Sequence, residues 1–227
     1  MVLIPGLMLS WRMYAPQLEA LWTGGAVTLA NHTGDDSIGA LARRILAEAP
    51  PRFALVGLSM GGYIAFEILR QAAERVVKVA LLDTQARADT PEVSAARRVQ
   101  MQQAAAGHFA EVIEVLIPRM LHPSRWNDLA LTSQIRLMAA EVGPAAYSHQ
   151  QTANIGRPDS LSTLAAIRCP TLVLVGDADQ LTPPERAREI ADGIDGAELV
   201  VVPECGHLST LERPEAVTHA LRAWLRR

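Results

Sequence analysis

Lysine is nearly missing from this chain and cysteine is scarce. Of 21 basic residues only Lys78 is a lysine, which reflects codon usage more than function. Two cysteines, Cys169 and Cys205, cannot build a disulfide framework and have no CxxC spacing, so a reducing compartment fits. A net charge of −3 with no run of basic residues excludes an extended nucleic-acid or anionic-membrane surface. No apolar run approaches the roughly 20 residues of a membrane span. Met1 to Leu9 comes nearest, but no charge precedes Arg12 and Pro5-Gly6 interrupts it, so neither a signal peptide nor a span is expected. The chain reads as soluble and cytoplasmic. Its 227 residues, 49% apolar and 20% charged, suit one domain with a substantial core.

Short apolar runs alternate with amphipathic stretches. The runs are Val2-Leu3-Ile4, Ala26 to Ala30, Phe53 to Gly57, Val76 to Leu82, Thr171 to Val175 and Glu198 to Val202. Most are continuously apolar and many are β-branched, as strands covered on both faces should be. Ala15 to Trp22, Ser37 to Ala49, Met60 to Ala73, Pro184 to Ile194 and Pro214 to Arg227 carry helical spacing. This alternation predicts a mostly parallel sheet of six strands flanked by helices. Residues 84–159 break the rhythm with no strand, reading as four short helices: Pro91 to Ala106, His108 to Leu121, Ser124 to Val142 and Pro144 to Ile155. Such an insertion is most simply a cap over the C-terminal sheet edge, where open α/β sheets bind ligands. The predicted organisation is a core of residues 1–83 and 160–227 with a helical cap of residues 84–159.

The most informative segment is Gly57-Leu58-Ser59-Met60-Gly61, a G-x-S-x-G string between a predicted strand and a predicted helix. A nucleophilic serine has to stand clear of the sheet on a strained turn, and flanking side chains would collide with neighbouring elements. The helix start behind it favours developing negative charge. A Gly-rich strand-to-helix turn also suits dinucleotide binding, with Asp83 as the ribose acid, but the G-x-G-x-x-G spacing fails because Ser59 stands at the second glycine. Cys205-x-His207 suggests half a metal site, yet no third or fourth ligand has usable spacing, so neither metal nor cofactor is expected.

Serine needs a base. Of six histidines, His207 follows the last strand and emerges on the edge that carries Ser59. His219 sits on the final helix, His32 follows an early strand, and His108, His122 and His149 fall in the cap. The imidazole in turn needs a carboxylate. Asp177 and Asp179, past the penultimate strand, and Asp83, past the strand after the serine helix, all qualify by spacing.

Taken together, these segments resemble the α/β-hydrolase superfamily, in particular its small bacterial esterase, lactonase and C–C hydrolase branch. Leu3-Ile4-Pro5-Gly6-Leu7, the Ser59 elbow, and Gly176 to Pro183 followed by Gly206-His207 stand in the family's order. The resemblance spans essentially the whole chain. The family's G-x-x-D-x-x-x-P frame points to Asp179 as the acid, with Asp83 in the alternative position. The resemblance implies an oxyanion hole made by the backbone N–H groups of Leu7 and Met60. Pro5-Gly6 replaces the family's usual His-Gly, and the two strands that usually precede this loop lack a counterpart before Met1, which implies a six-stranded sheet or a start site set late.

The implied activity is hydrolysis of a small or medium, apolar carboxylic ester through Ser59, His207 and Asp179. Met101, Val112, Leu116, Met120, Trp126, Leu137 and Met138 are expected to face inward from the cap. Arg157 and Asp159, where the cap rejoins the sheet, are expected either to face the site or to pair with each other. Enol-lactone or C–C bond hydrolysis on the same triad is the enzymatic alternative, and a non-catalytic ligand-binding relative is the alternative of another class.

Overall fold

In the computed structural model, which describes residues 1–227, the six apolar runs form one sheet. Its strands are β1 (Val2–Ile4), β2 (Thr28–Leu29), β3 (Phe53–Leu58), β4 (Val76–Leu82), β5 (Thr171–Gly176) and β6 (Glu198–Val202). They lie in the order β2-β1-β3-β4-β5-β6, and every neighbouring pair is parallel. β1 and β5 are buried at every position, as their unbroken apolar sequences require of strands covered on both faces. β2 and β6 close the two edges; β2 is half-buried and β6 is fully buried only at Val202.

The helices are α1 (Ala15–Trp22), α2 (Ile38–Glu48), α3 (Met60–Ala72), α4 (Pro91–Gln103), α5 (Phe109–Met120), α6 (Leu129–Ile155), α7 (Pro184–Gly193), the one-turn α8 (Ser209–Glu212) and α9 (Pro214–Arg226). Because side chains alternate along a strand, each strand feeds two cores. Leu3, Val56, Ala80 and Leu172 join Leu21 of α1 and Leu221 and Trp224 of α9 on one face. Val2, Ile4, Leu55, Val79 and Val173 join α2, α3 and α7 on the other. Helix starts follow local chemistry: the Ser37, Thr90 and Asp128 side chains accept backbone N–H groups at the starts of α2, α4 and α6. Pro184 and Pro214 occupy first turns, where no N–H is needed. No helix is long and apolar enough to cross a membrane.

Between β4 and β5 the chain is helical, without a strand. α4 runs into α5 through a wide turn over Ala104–His108, where Gly107 takes φ 93°. α6 is two helical pieces joined at Gly143 (φ 75°), followed by Pro144, which cannot donate a helical hydrogen bond. Val112, Leu116, Met120, Ile135 and Met138 from these helices belong to the same buried cluster as residues of β1 and β3.

Candidate active site

Ser59 is the whole connection between β3 and α3. Its backbone takes φ 55° and ψ −116°, a conformation that costs a non-glycine residue on the order of 1–3 kcal/mol and needs surrounding structure to hold it. Two contacts with the chain at and just past the end of β4 do so. The Ser59 N–H donates to the Leu82 carbonyl at 2.9 Å, and the Thr84 hydroxyl donates to the Ser59 carbonyl at 2.8 Å. The flanking glycines have a steric cause. A Cβ on Gly57 would strike the Gly61 backbone, and one on Gly61 would strike the Ile4 carbonyl of β1. α3 therefore starts pressed against two strands, with Ser59 lifted to the sheet edge.

His207 reaches the same edge from the loop after β6. Its backbone N–H donates to the Met120 carbonyl at the end of α5 (2.8 Å). Its Nδ1 lies 2.8 Å from Asp179 Oδ2. The Asp179 carboxylate also accepts the N–H groups of Leu181 and Thr182 at 2.8 and 3.0 Å and the Thr182 hydroxyl at 2.7 Å. Burial would raise the Asp179 pKa, but His207 and these donors outweigh it and hold the carboxyl below its usual range. For His207, burial lowers the pKa, yet the Asp179 carboxylate foremost, with Asp83 and Glu212, outweighs it and the net direction is upward. With Nδ1 engaged by a carboxylate, Nε2 is the nitrogen left to act as a base.

Asp83 and Asp177 serve other partners. Asp83 is fully buried, accepting the Gly176 N–H at 3.0 Å and the Ser209 hydroxyl, and burial together with the nearby Asp179 pushes its pKa well up. Asp177 accepts the Cys205 N–H at 3.0 Å. A group invisible to motif reading, Glu212 of α8, accepts the N–H groups of Gly206 (2.9 Å) and His122 (2.8 Å), fixing the loop in front of His207. Thr182, which ties Asp179 down and lies 3.3 Å from His207 Nδ1, was visible only as part of a loop.

The loop after β1 supplies the remaining wall. Leu7 N–H donates to no protein acceptor, and Met60 N–H, first in α3, has no intrahelical one. Loop shape is set by Tyr14 donating to the Ile4 carbonyl (3.0 Å), by His32 Nε2 against the Gly6 carbonyl (2.8 Å), and by Met8 N–H donating to Gln150 of α6 (2.9 Å). His32 is buried and pushed down to about 4 by burial, so it is neutral and donates. His108 and His149 are exposed, and His122 bonds Ser124, away from the site.

Ser59, His207, Thr182 and Leu7 line one cavity of about 230 Å³, closed on its other side by residues of α4, α5 and α6. Of the cap residues expected to face inward, Leu116 and Met120 do line it, Val112 and Met138 are core, and half-buried Met101 belongs to neither. Trp126 and Leu137 instead are exposed, at 45% and 47%. Trp126 lies beyond the end of α5 with its indole N–H on the Leu121 carbonyl, and Leu137 falls on the outer face of α6. Arg157 and Asp159 do not pair with each other, nor do they line the cavity. Arg157 binds Asp89 at 2.6 Å and stacks over the Tyr63 ring at 4.1 Å, whereas Asp159 accepts the Leu161 and Ala88 N–H groups. No three His, Cys, Asp or Glu side chains gather as metal ligands; buried Cys205 packs, its thiol pushed up by burial.

A parallel sheet with a serine on a strained strand-to-helix elbow, facing a histidine–carboxylate pair across a cleft, defines a class of hydrolytic enzymes. The chain belongs to the alpha/beta hydrolase family, whose model matches residues 1–220. It is similar to a thermophilic esterase from Thermogutta terrifontis, at 33% identity and TM-score 0.89 over 99% of this chain and 88% of that one. The enol-lactonase of Burkholderia xenovorans superposes with TM-score 0.90 at 26% identity, covering all of this chain and 90% of that one. A pimeloyl-[acyl-carrier protein] methyl ester esterase from Neisseria meningitidis is 27% identical over 88% of this chain and 81% of its own length.

Proposed function

We propose that the protein is a carboxylic ester hydrolase working through Ser59, His207 and Asp179. The observation that carries this reading is the 2.8 Å Asp179–His207 contact in the same cavity as Ser59. His207 Nε2 removes the Ser59 proton as Oγ attacks the ester carbonyl. The N–H groups of Met60 and Leu7 receive the oxyanion, aided by the start of α3. His207 then protonates the departing alcohol and activates the water that releases the acid. Asp179, anchored by Thr182, keeps the imidazole in the required tautomer throughout. The body of a small ester would lie against Leu9, Leu116 and Met120. Two cysteines left as free thiols suit the reducing cytoplasm.

A second reading, hydrolysis of an enol-lactone, draws support from the likeness to the Burkholderia enzyme and uses the same triad. Exposure to a fluorophosphonate followed by intact-mass measurement tests the shared chemistry. One adduct is expected on the native protein and none on Ser59→Ala; an unlabelled, folded native protein would defeat both readings. Ester and lactone panels then separate them.

A further inference from the structure

The charges around the cavity are all of one sign. Arg97 of α4 and Arg119 of α5 line it, and no aspartate or glutamate does. Arg97 is held from behind: Nε donates to Asp89 Oδ2 at 2.6 Å and Nη1 to Gln151 Oε1 at 2.7 Å, with a longer 3.5 Å contact from Nη2 to Asp89 Oδ1. A guanidinium has five donors, so at least two N–H groups of Arg97 remain for the cavity. Asp89, with its side chain 1% exposed, cannot neutralise the cluster alone, because Arg157 also binds its Oδ1 at 2.6 Å. Two guanidinium groups thus share one carboxylate, and a positive charge is left beside a half-enclosed cleft. Burying such a charge without a partner is costly.

The neighbouring polar groups are turned the same way. Gln100 Oε1 accepts from both the Tyr147 hydroxyl (3.1 Å) and Gln151 Nε2 (3.0 Å), so Gln100 has only its N–H groups left to offer. Asn154 lines the cavity, is 1% exposed, and its side-chain amide makes no hydrogen bond within the protein; its buried Oδ1 is unpartnered. Its NH₂ group has no protein partner and is not fully buried, so it is the edge left for a ligand. Arg119 has no ion-pair partner and its side chain is exposed at the rim.

Resting on the ester-hydrolase reading above, we propose that the helical side of this cavity is a carboxylate subsite, built by Arg97, Gln100, Asn154 and Arg119. The substrate is then an ester bearing a free carboxylate, such as the half-ester of a short dicarboxylic acid. The planar fork of Arg97 matches a carboxylate, and the apolar stretch at Leu116 and Met120 accommodates the methylene spacer between the anion and the scissile bond. The cavity of about 230 Å³ has room for a chain of this length.

The experiment measures calorimetric binding of monomethyl glutarate and of methyl pentanoate, which differ by one carboxylate, to Ser59→Ala protein. Monomethyl glutarate should bind about tenfold tighter or more, and adding Arg97→Gln should remove most of that preference. Arg119→Gln, at a side chain with no protein partner to lose, should reduce it as well and decides the matter if Arg97→Gln fails to fold. Equal affinities, or a preference that survives the Arg119→Gln and any folded Arg97→Gln variant, overturn the subsite. In parallel the native enzyme is given monomethyl glutarate and methyl pentanoate. A binding preference with neither ester cleaved would leave the subsite standing and defeat the ester-hydrolase reading; cleavage of both at equal kcat/KM, with equal binding, would do the reverse.

Discussion

In the proposed mechanism, the hydrogen bond between Asp179 and His207 decides what Ser59 can do. His207 can act as a base only when neutral, and burial, which lowers its pKa, is outweighed by the carboxylates around it, Asp179 foremost. The pH profile of kcat/KM should therefore rise through a midpoint above the ordinary imidazole value. In Asp179→Asn the carboxylate that raises the pKa is gone, so this limb moves to lower pH, and the wrong tautomer lowers kcat by about 10⁴-fold. Full activity in the variant, or an unmoved acidic limb, would exclude Asp179 as the partner of the base. At this scale Ser59 was legible in a short motif and His207 in its place after the last strand, whereas Asp179 was singled out from Asp83 and Asp177 only by the family resemblance. Thr182, Glu212, Arg97 and Asn154 were not legible. Their significance arises from contacts across the fold, such as Glu212 reaching Gly206 and His122, and no local pattern marks them.

Elements meet here where glycine permits it, and the permission is local. α3 can start against β1 only because Gly61 has no side chain; a Cβ there would lie inside the Ile4 carbonyl. Gly61→Ala should thus misplace the elbow, abolishing fluorophosphonate labelling and reducing soluble yield, since backbone on both sides has to move. Gly39, in α2, is the contrast: the nearest atom to an added Cβ is Arg43 Nη1 at 3.6 Å. Gly39→Ala should stabilise by about 0.5–1 kcal/mol in urea unfolding, because helix propensity rises without a clash. Loss of stability at Gly39 or intact labelling of Gly61→Ala would show that space at these glycines is not what matters. The same locality explains which elements were readable. All six strands show in the sequence as short apolar runs and the long helices by their spacing, and Gly143-Pro144 announced the break in α6. α8, only four residues long, and the wide turn over Ala104–His108 between α4 and α5 have no period to read.

Over the whole molecule, stability against acid turns on groups that are buried without charge. The two cores on either side of the sheet are apolar, so an ionising side chain between them has to be neutral or paired. His32 is the clearest case. It is 2% exposed, donates to the Gly6 carbonyl, and is pushed by burial from 6.5 down to about 4. The unfolded chain takes up this proton near pH 6.5 and the folded chain only near pH 4. Over that interval the unfolded state binds more protons, so stability is present above pH 6.5 and is lost as pH falls. The single group should remove on the order of 3 kcal/mol between pH 7 and pH 4. Asp83 and Glu212 act in the opposite direction, because burial raises their pKa values and the folded state holds their protons longer than the unfolded one. The net slope therefore mixes signs, and only a difference isolates His32. Urea unfolding of the native protein and His32→Gln at pH 7, 5.5 and 4 supplies that difference. The glutamine can still donate to Gly6 but cannot titrate, so the variant should be less stable at pH 7 and lose its disadvantage progressively as the pH falls. A stability gap that stays constant across the three pH values would mean that His32 carries the same charge folded and unfolded, and that the acid sensitivity of the fold lies with groups such as the Asp179 carboxyl, which is held below its usual range.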